Sequence, residues 1–193
     1  ENLIMRDDQI RCITGETDSG PLPGHFNMHE EIEVGVLLSG RIRRVYQDSA
    51  VEIQAGQVWL CNVWEPHGRK VIEGPVDPVV IYCSLSTLMS LGPGGPSAIH
   101  WLAPFIPAPE RRPRGESEES RRDLLWLAAK ARTVSRNQSP NQSTWLRLIL
   151  MEILMTLIEE SGPPRSARED SASAFAELTP ALELVFSEPG VIS

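Results

Sequence analysis

The sequence predicts a mainly β fold, a barrel or sandwich followed by helices, and three observations carry that reading. Residues 31 to 63 alternate apolar and polar side chains, the runs are punctuated by Gly, Asp and Pro, and apolar patterns of helical period begin only after residue 117. Short strands at this spacing, with turn residues between them, are the signature of an all-β sandwich or barrel.

The alternation is clearest from Glu31 to Gly40, which reads as a strand entering a tight turn, with Arg41 to Gln47 as its hairpin partner. A second pair follows Gln47-Asp48-Ser49-Ala50: Val51 to Gln54, then, after Ala55-Gly56, Gln57 to Val63, ended by Pro66. Successive strand residues point to opposite faces, so Asn27, His29, Glu31 and Glu33 form a polar row backed by Ile32, Val34, Val36 and Leu38. With the polar row inside a barrel, His29 and Glu33 line its interior, and His67 closes on them from one strand pair later. Arg43 and Tyr46 lie on the neighbouring strand, where alternation lets at most one of them point inward. Trp64 sits beside His67 and can stack on a sugar or aromatic ligand or serve as an ordinary rim residue.

Around this centre the other elements fall in order. Asn2–Met5 and Gln9–Thr14 are short strands, and residues 17 to 24, rich in Gly, Pro and Asp, are a loop. Pro78 to Leu85 is a buried strand that brings the count to roughly eight, enough to enclose a small ligand. Prolines at 93, 96, 104, 107, 109 and 113 forbid regular structure in residues 91–116, yet Ile99, Trp101, Leu102, Phe105 and Ile106 are too apolar for a free linker, so this segment packs on the barrel. His100 lies among them as a packed or partly exposed side chain.

Two helices occupy 117–162. Ser120 and Asp123 resemble a capping box, and Leu124, Leu125, Leu127, Ala128 and Ala131 give the first helix an apolar face to about Ser135. Ser139, Pro140 and Gln142 open the second, and Gly162-Pro163-Pro164 closes it. The second helix is apolar nearly all round, which calls for two partners: its own domain and, through Leu146, Ile149, Leu150, Ile153 and Leu157, the same helix of a second subunit. Its charges, Arg147, Glu152, Glu159 and Glu160, make it unlike a membrane span. Residues 163–173 are polar and aromatic-free, an interdomain linker by composition, and Thr179 to Phe186 begin another amphipathic helix.

Composition narrows the function. Formal charge is −8 with a pI near 5.1, and no basic run marks a nucleic-acid face. Cys12, Cys61 and Cys83 are odd in number and lack metal spacing, as expected of reduced thiols in a cytoplasmic protein. With Glu1 in place of an initiator Met, the chain reads as a piece of a longer protein.

His29, three residues, Glu33, six residues, Gly40 resembles the first motif of the cupin superfamily, and Ala55-Gly56 followed by Glu65-Pro66-His67 resembles the second. The resemblance implies a cupin-like double-stranded β-helix or jelly-roll barrel over residues 1–90. The family's first motif opens His-x-His, whereas Asn27 stands at its first position here; His29, Glu33 and His67 remain as ligands for a divalent metal, with Asn27 or His25 nearby. The succession of barrel, helix pair, linker and Pro180-Ala181-Leu182-Glu183 resembles the AraC family of bacterial transcription regulators. That resemblance implies a small-molecule effector bound by His29, Glu33, Arg43, Tyr46, Trp64 and His67, a homodimer through the helices, and no catalytic residue. DNA would be contacted only through a C-terminal domain, of which 174–193 is the start. The competing class is a metal-dependent cupin enzyme, a dioxygenase or isomerase.

Overall fold

The computed structural model describes residues 10–15, 26–91, 101–137 and 139–161. Five antiparallel strands form one strongly bent sheet: β1 (Ile10–Thr14), β2 (Ile32–Tyr46), β3 (Ala50–Gln54), β4 (Val58–Cys61) and β5 (His67–Cys83). Three helices follow, α1 (Leu85–Met89), α2 (Glu118–Asn137) and α3 (Gln142–Ser161), with short 3-10 turns at Ala103–Phe105 and Pro109–Arg111. The antiparallel sheet followed by two long helices agrees with the expected order. The expected strand at 2–5, the 17–24 loop, His25, His100 and everything after Ser161 lie outside the described residues.

The predicted hairpin at Gly40 is instead one continuous strand. β2 runs beside β5 along its whole length, from Ile32 opposite Cys83 to Tyr46 opposite His67, with register shifts between Leu37 and Ile42. Gly40 has a φ of 80°, a left-handed conformation that glycine adopts without steric cost, so it bends the ladder where a turn was expected. β3 pairs with the second half of β2 and β4 with the first, so β3 and β4 belong to different layers and are not a hairpin either. The long strands therefore fold the sheet over itself.

This folding produces two cores. Between the layers lie Leu37, Ile42, Tyr46, Ile53, Trp59, Cys61, Val76 and Val80. The outer face of the first layer, Ile32, Val34, Val36, Val58, Leu60, Val79 and Ile81, shares a second core with the helices. Residues Leu124, Leu127, Ala128 and Ala131 of α2 and Leu146, Ile149, Leu150, Ile153, Leu154 and Leu157 of α3 complete it. All five residues expected at a subunit interface are thus at most 1% exposed within their own chain. α2 lies against the sheet, and the apolar side chains of α3 are buried in the core that both helices share with it, so that face is not available to a second subunit.

Polar contacts fix the outer parts. Ser117, rather than Ser120, caps α2 by accepting the Ser120 N–H at 3.0 Å, which starts the helix earlier than expected. Glu160 Oε1 of α3 accepts the N–H groups of Glu116 and Ser117 at 2.6 and 2.7 Å, tying the two helices together. Of the Pro-rich segment, residues 101–116 are described, and Trp101 and Phe105 there are buried in the helix core. It is bolted to the sheet by Arg112, which donates to both Glu65 oxygens at 2.6 and 2.7 Å and to the Leu60 and Pro107 carbonyls. No helix among the described residues is long and apolar enough to cross a membrane.

Candidate functional site

The inner polar cluster is centred on Glu33, which is 3% exposed. β2 brings Glu33 inward from the first layer and Arg44 inward from the second, because the register shifts between them reverse the phase of alternation. Glu33 Oε1 accepts from Arg44 Nη2 at 2.9 Å and from the Trp59 indole N–H. Its other oxygen, Oε2, faces His29 Nε2 at 3.3 Å and His67 Nε2 at 3.1 Å. Burial alone would raise the Glu33 pKa, but Arg44 and the two imidazoles overcome it and hold the carboxyl well below its usual range. Glu33 is therefore an ionised carboxylate inside the protein.

Both histidines are oriented by the backbone. His29 Nδ1 lies 3.0 Å from the Glu31 carbonyl and His67 Nδ1 lies 2.7 Å from the Glu65 carbonyl. A carbonyl only accepts, so each Nδ1 carries a proton and each Nε2 is turned toward Glu33. Two Nε2 atoms facing one carboxylate oxygen concentrate donor atoms that a cation bound among them would satisfy. The three ligand atoms lie within 4.8 Å of one another, so two imidazole nitrogens and a carboxylate form a donor set that fits a divalent transition metal. His29, Glu33 and His67 could hold such an ion.

Asn27 takes no part through its side chain. Its backbone exchanges hydrogen bonds with His67, 2.8 Å in one direction and 3.1 Å in the other, and the residue is exposed.

The other expected site residues divide. Tyr46 is buried against the same inner face and donates to the Leu60 carbonyl at 3.0 Å, so its hydroxyl is already used. Arg43 points outward and pairs with Glu52 at 2.7 Å on the surface. Trp64 is 59% exposed beside the cluster, its backbone N–H donating to the His29 carbonyl at 2.7 Å, with a φ of 56°. Sequence alternation missed Arg44, Trp59, Arg69 and Tyr82. Tyr82 stands opposite Glu33 in the ladder, with its ring 5.4 Å from His29 and the Arg11 guanidinium 4.4 Å above it. Gly40 was the one signal that could have placed Arg44, since a glycine in mid-strand marks a bulge that changes the phase.

No family model matches this chain, and no curated protein matches it. Among solved structures, two variants of the oxalate decarboxylase OxdC of Bacillus subtilis are similar at 14% identity and a TM-score of 0.36. The similarity covers 40% of this chain and 22% of theirs. A third structure, of the same decarboxylase and concerned with its Mn(II) centres, is similar at 13% identity with the same coverage. The chain spans 22% of the length of these structures.

Proposed function

We infer that the cupin-like roll is the effector-sensing portion of an AraC-type transcription regulator, with Glu33, Arg44 and the two histidines forming the floor of its binding site. One observation carries this reading: the chain's own Arg44, Trp59, His29 and His67 engage both oxygens of Glu33. A site whose charged groups are held by buried partners is preorganised for recognition, and it asks of its ligand only shape and complementary charge. An effector acts in such a protein by binding one of two states more tightly, and the shift it causes is limited by that difference. The parent coding frame beyond Ser193 tests the assignment. A pair of helix-turn-helix units there supports it, and a stop codon or an unrelated domain removes it.

A metal-dependent cupin is the second reading, favoured by the convergence of His29 Nε2, His67 Nε2 and Glu33 Oε2. These three residues would hold the ion, which supplies Lewis-acid or redox chemistry when bound. Elemental analysis of protein purified without a metal-affinity step decides between the readings. Near-stoichiometric manganese, iron, nickel or zinc that is lost in His67→Ala favours a metal centre, and metal-free protein favours sensing.

A further inference from the structure

The two imidazoles of the site are held in the same way. His29 Nδ1 lies 3.0 Å from the Glu31 carbonyl, and the two carboxylate oxygens of Glu31 accept from Arg11 Nε at 3.0 Å and Nη2 at 2.8 Å. His67 Nδ1 lies 2.7 Å from the Glu65 carbonyl, and the two carboxylate oxygens of Glu65 accept from Arg112 Nη1 at 2.6 Å and Nη2 at 2.7 Å. Each glutamate thus offers its backbone to a histidine two residues away and its side chain to an arginine of another segment. A two-pronged arginine–carboxylate pair fixes direction as well as position, so the carbonyl that aims each imidazole is itself aimed.

The two arginines belong to the segments that attach to α2 at its opposite ends. Arg11 is on β1, and the carbonyl of the next residue, Cys12, accepts the Ser135 hydroxyl from the last turn of α2 at 2.9 Å. Arg112 lies just before α2. Between them the Arg114 carbonyl accepts the Val58 N–H at 2.9 Å, and the Gly115 carbonyl accepts Arg121 Nε at 3.1 Å. Arg112 is buried and anchored also to the Leu60 and Pro107 carbonyls, whereas the Arg11 side chain is 44% exposed. The Arg112 clamp is sealed and the Arg11 clamp borders solvent.

We propose that Arg11 and Arg112 are positioning residues that set the direction of His29 and His67 and connect each imidazole to one end of α2, a step that rests on the sensing reading above and adds its route of transmission. A ligand that turns either imidazole pulls on a glutamate carbonyl, through it on an arginine, and through the arginine on the helix. By linkage, a shift of α2 changes in return how the histidines are held.

Heteronuclear NMR of the imidazole ring N–H groups, at one fixed pH in chelator-treated protein, tests this. The chain has four histidines, and His29→Gln and His67→Gln assign the two signals. A ring N–H held on a carbonyl exchanges slowly with water, and saturation transfer from water measures the rate. Arg11→Gln should keep a near-parental Tm, because an exposed ion pair contributes little to stability. It should nevertheless speed exchange at His29 Nδ1 about tenfold, the change expected when one hydrogen bond is lost, and leave His67 as it was. Glu31→Gln, which leaves Arg11 over the Tyr82 ring, should do the same. Glu65→Gln should speed exchange at His67 and spare His29; where that variant does not fold, the two variants of the first clamp decide. Ser135→Ala, on α2, should speed exchange at His29 several-fold in the parent and add nothing in Arg11→Gln. Unchanged His29 exchange in Arg11→Gln and Glu31→Gln overturns the positioning role, whatever happens to Tm. No effect of Ser135→Ala in the parent, or an equal effect in Arg11→Gln, overturns the connection to α2. None of these outcomes bears on the coding frame, so the sensing reading stands or falls separately.

Discussion

Glu33 is the residue on which the interior depends. Glu33→Gln leaves Arg44, 4% exposed, facing a neutral amide, and breaking a buried pair from one side costs about 3–5 kcal/mol. The midpoint of urea unfolding should fall accordingly, and Glu33→Gln with Arg44→Met should recover much of the loss. The same pair sets the acid limb of stability. The unfolded Glu33 carboxyl titrates near 4.5 and the folded one well below it. Its stabilisation is therefore fully present above 4.5 and is lost as pH falls through the lower folded value. A Tm profile below about pH 5 should slope less steeply in Glu33→Gln than in the parent. The thiols give an independent check of burial. Burial pushes Cys12 to about 11 and both Cys61 and Cys83 to about 12. A thiol reagent at about pH 8 should label none of them in the native protein and all three in denaturant.

At the scale of elements, β2 decides what the sequence could reveal. Alternation was legible from Ile32 to Val36, where β2 is regular, but not through Asn27 to Glu31, which bend before the strand and leave Asn27 exposed; His29, Glu33 and His67 nonetheless meet as predicted. Beyond Leu37 the register shifts, so Glu33 and Arg44, eleven residues apart, face the same interior although strict period two would separate them. Arg43 was readable as a candidate only until the phase was known. The helices were legible from their period, although the cap of α2 is Ser117 and not Ser120; which partner covers α3 was not, since an apolar face does not say what lies against it. Close approach was illegible as well. A Cβ on Gly35 would fall onto the Trp59 ring, the same indole that donates to Glu33. Gly35→Ala should cost about 1–3 kcal/mol by overpacking and shift the tryptophan emission. A variant of parental stability and spectrum would mean that Trp59 can move without disturbing the site.

At the scale of the molecule, the inner face of α3 is buried in the core shared by helices and sheet, and the question of a dimer moves to what remains outside. Trp126 of α2 is 57% exposed, and Trp145 and Leu148 of α3 are 44% and 49% exposed. Lys130 ties the two indoles together, its ammonium 4.8 Å from one ring and 5.1 Å from the other. Large aromatic side chains held in place across two helices are the kind of anchor that carries binding energy in interfaces. If the helix pair does join two sensing units, this outward surface is the one left to do it. Trp126→Glu with Leu148→Glu should then give a monomer by light scattering and keep the parental Tm, because neither side chain belongs to a core. A parental protein that is already monomeric at high concentration would remove the dimer from the switching scheme, and the effector would have to act through the helices and linker of a single chain.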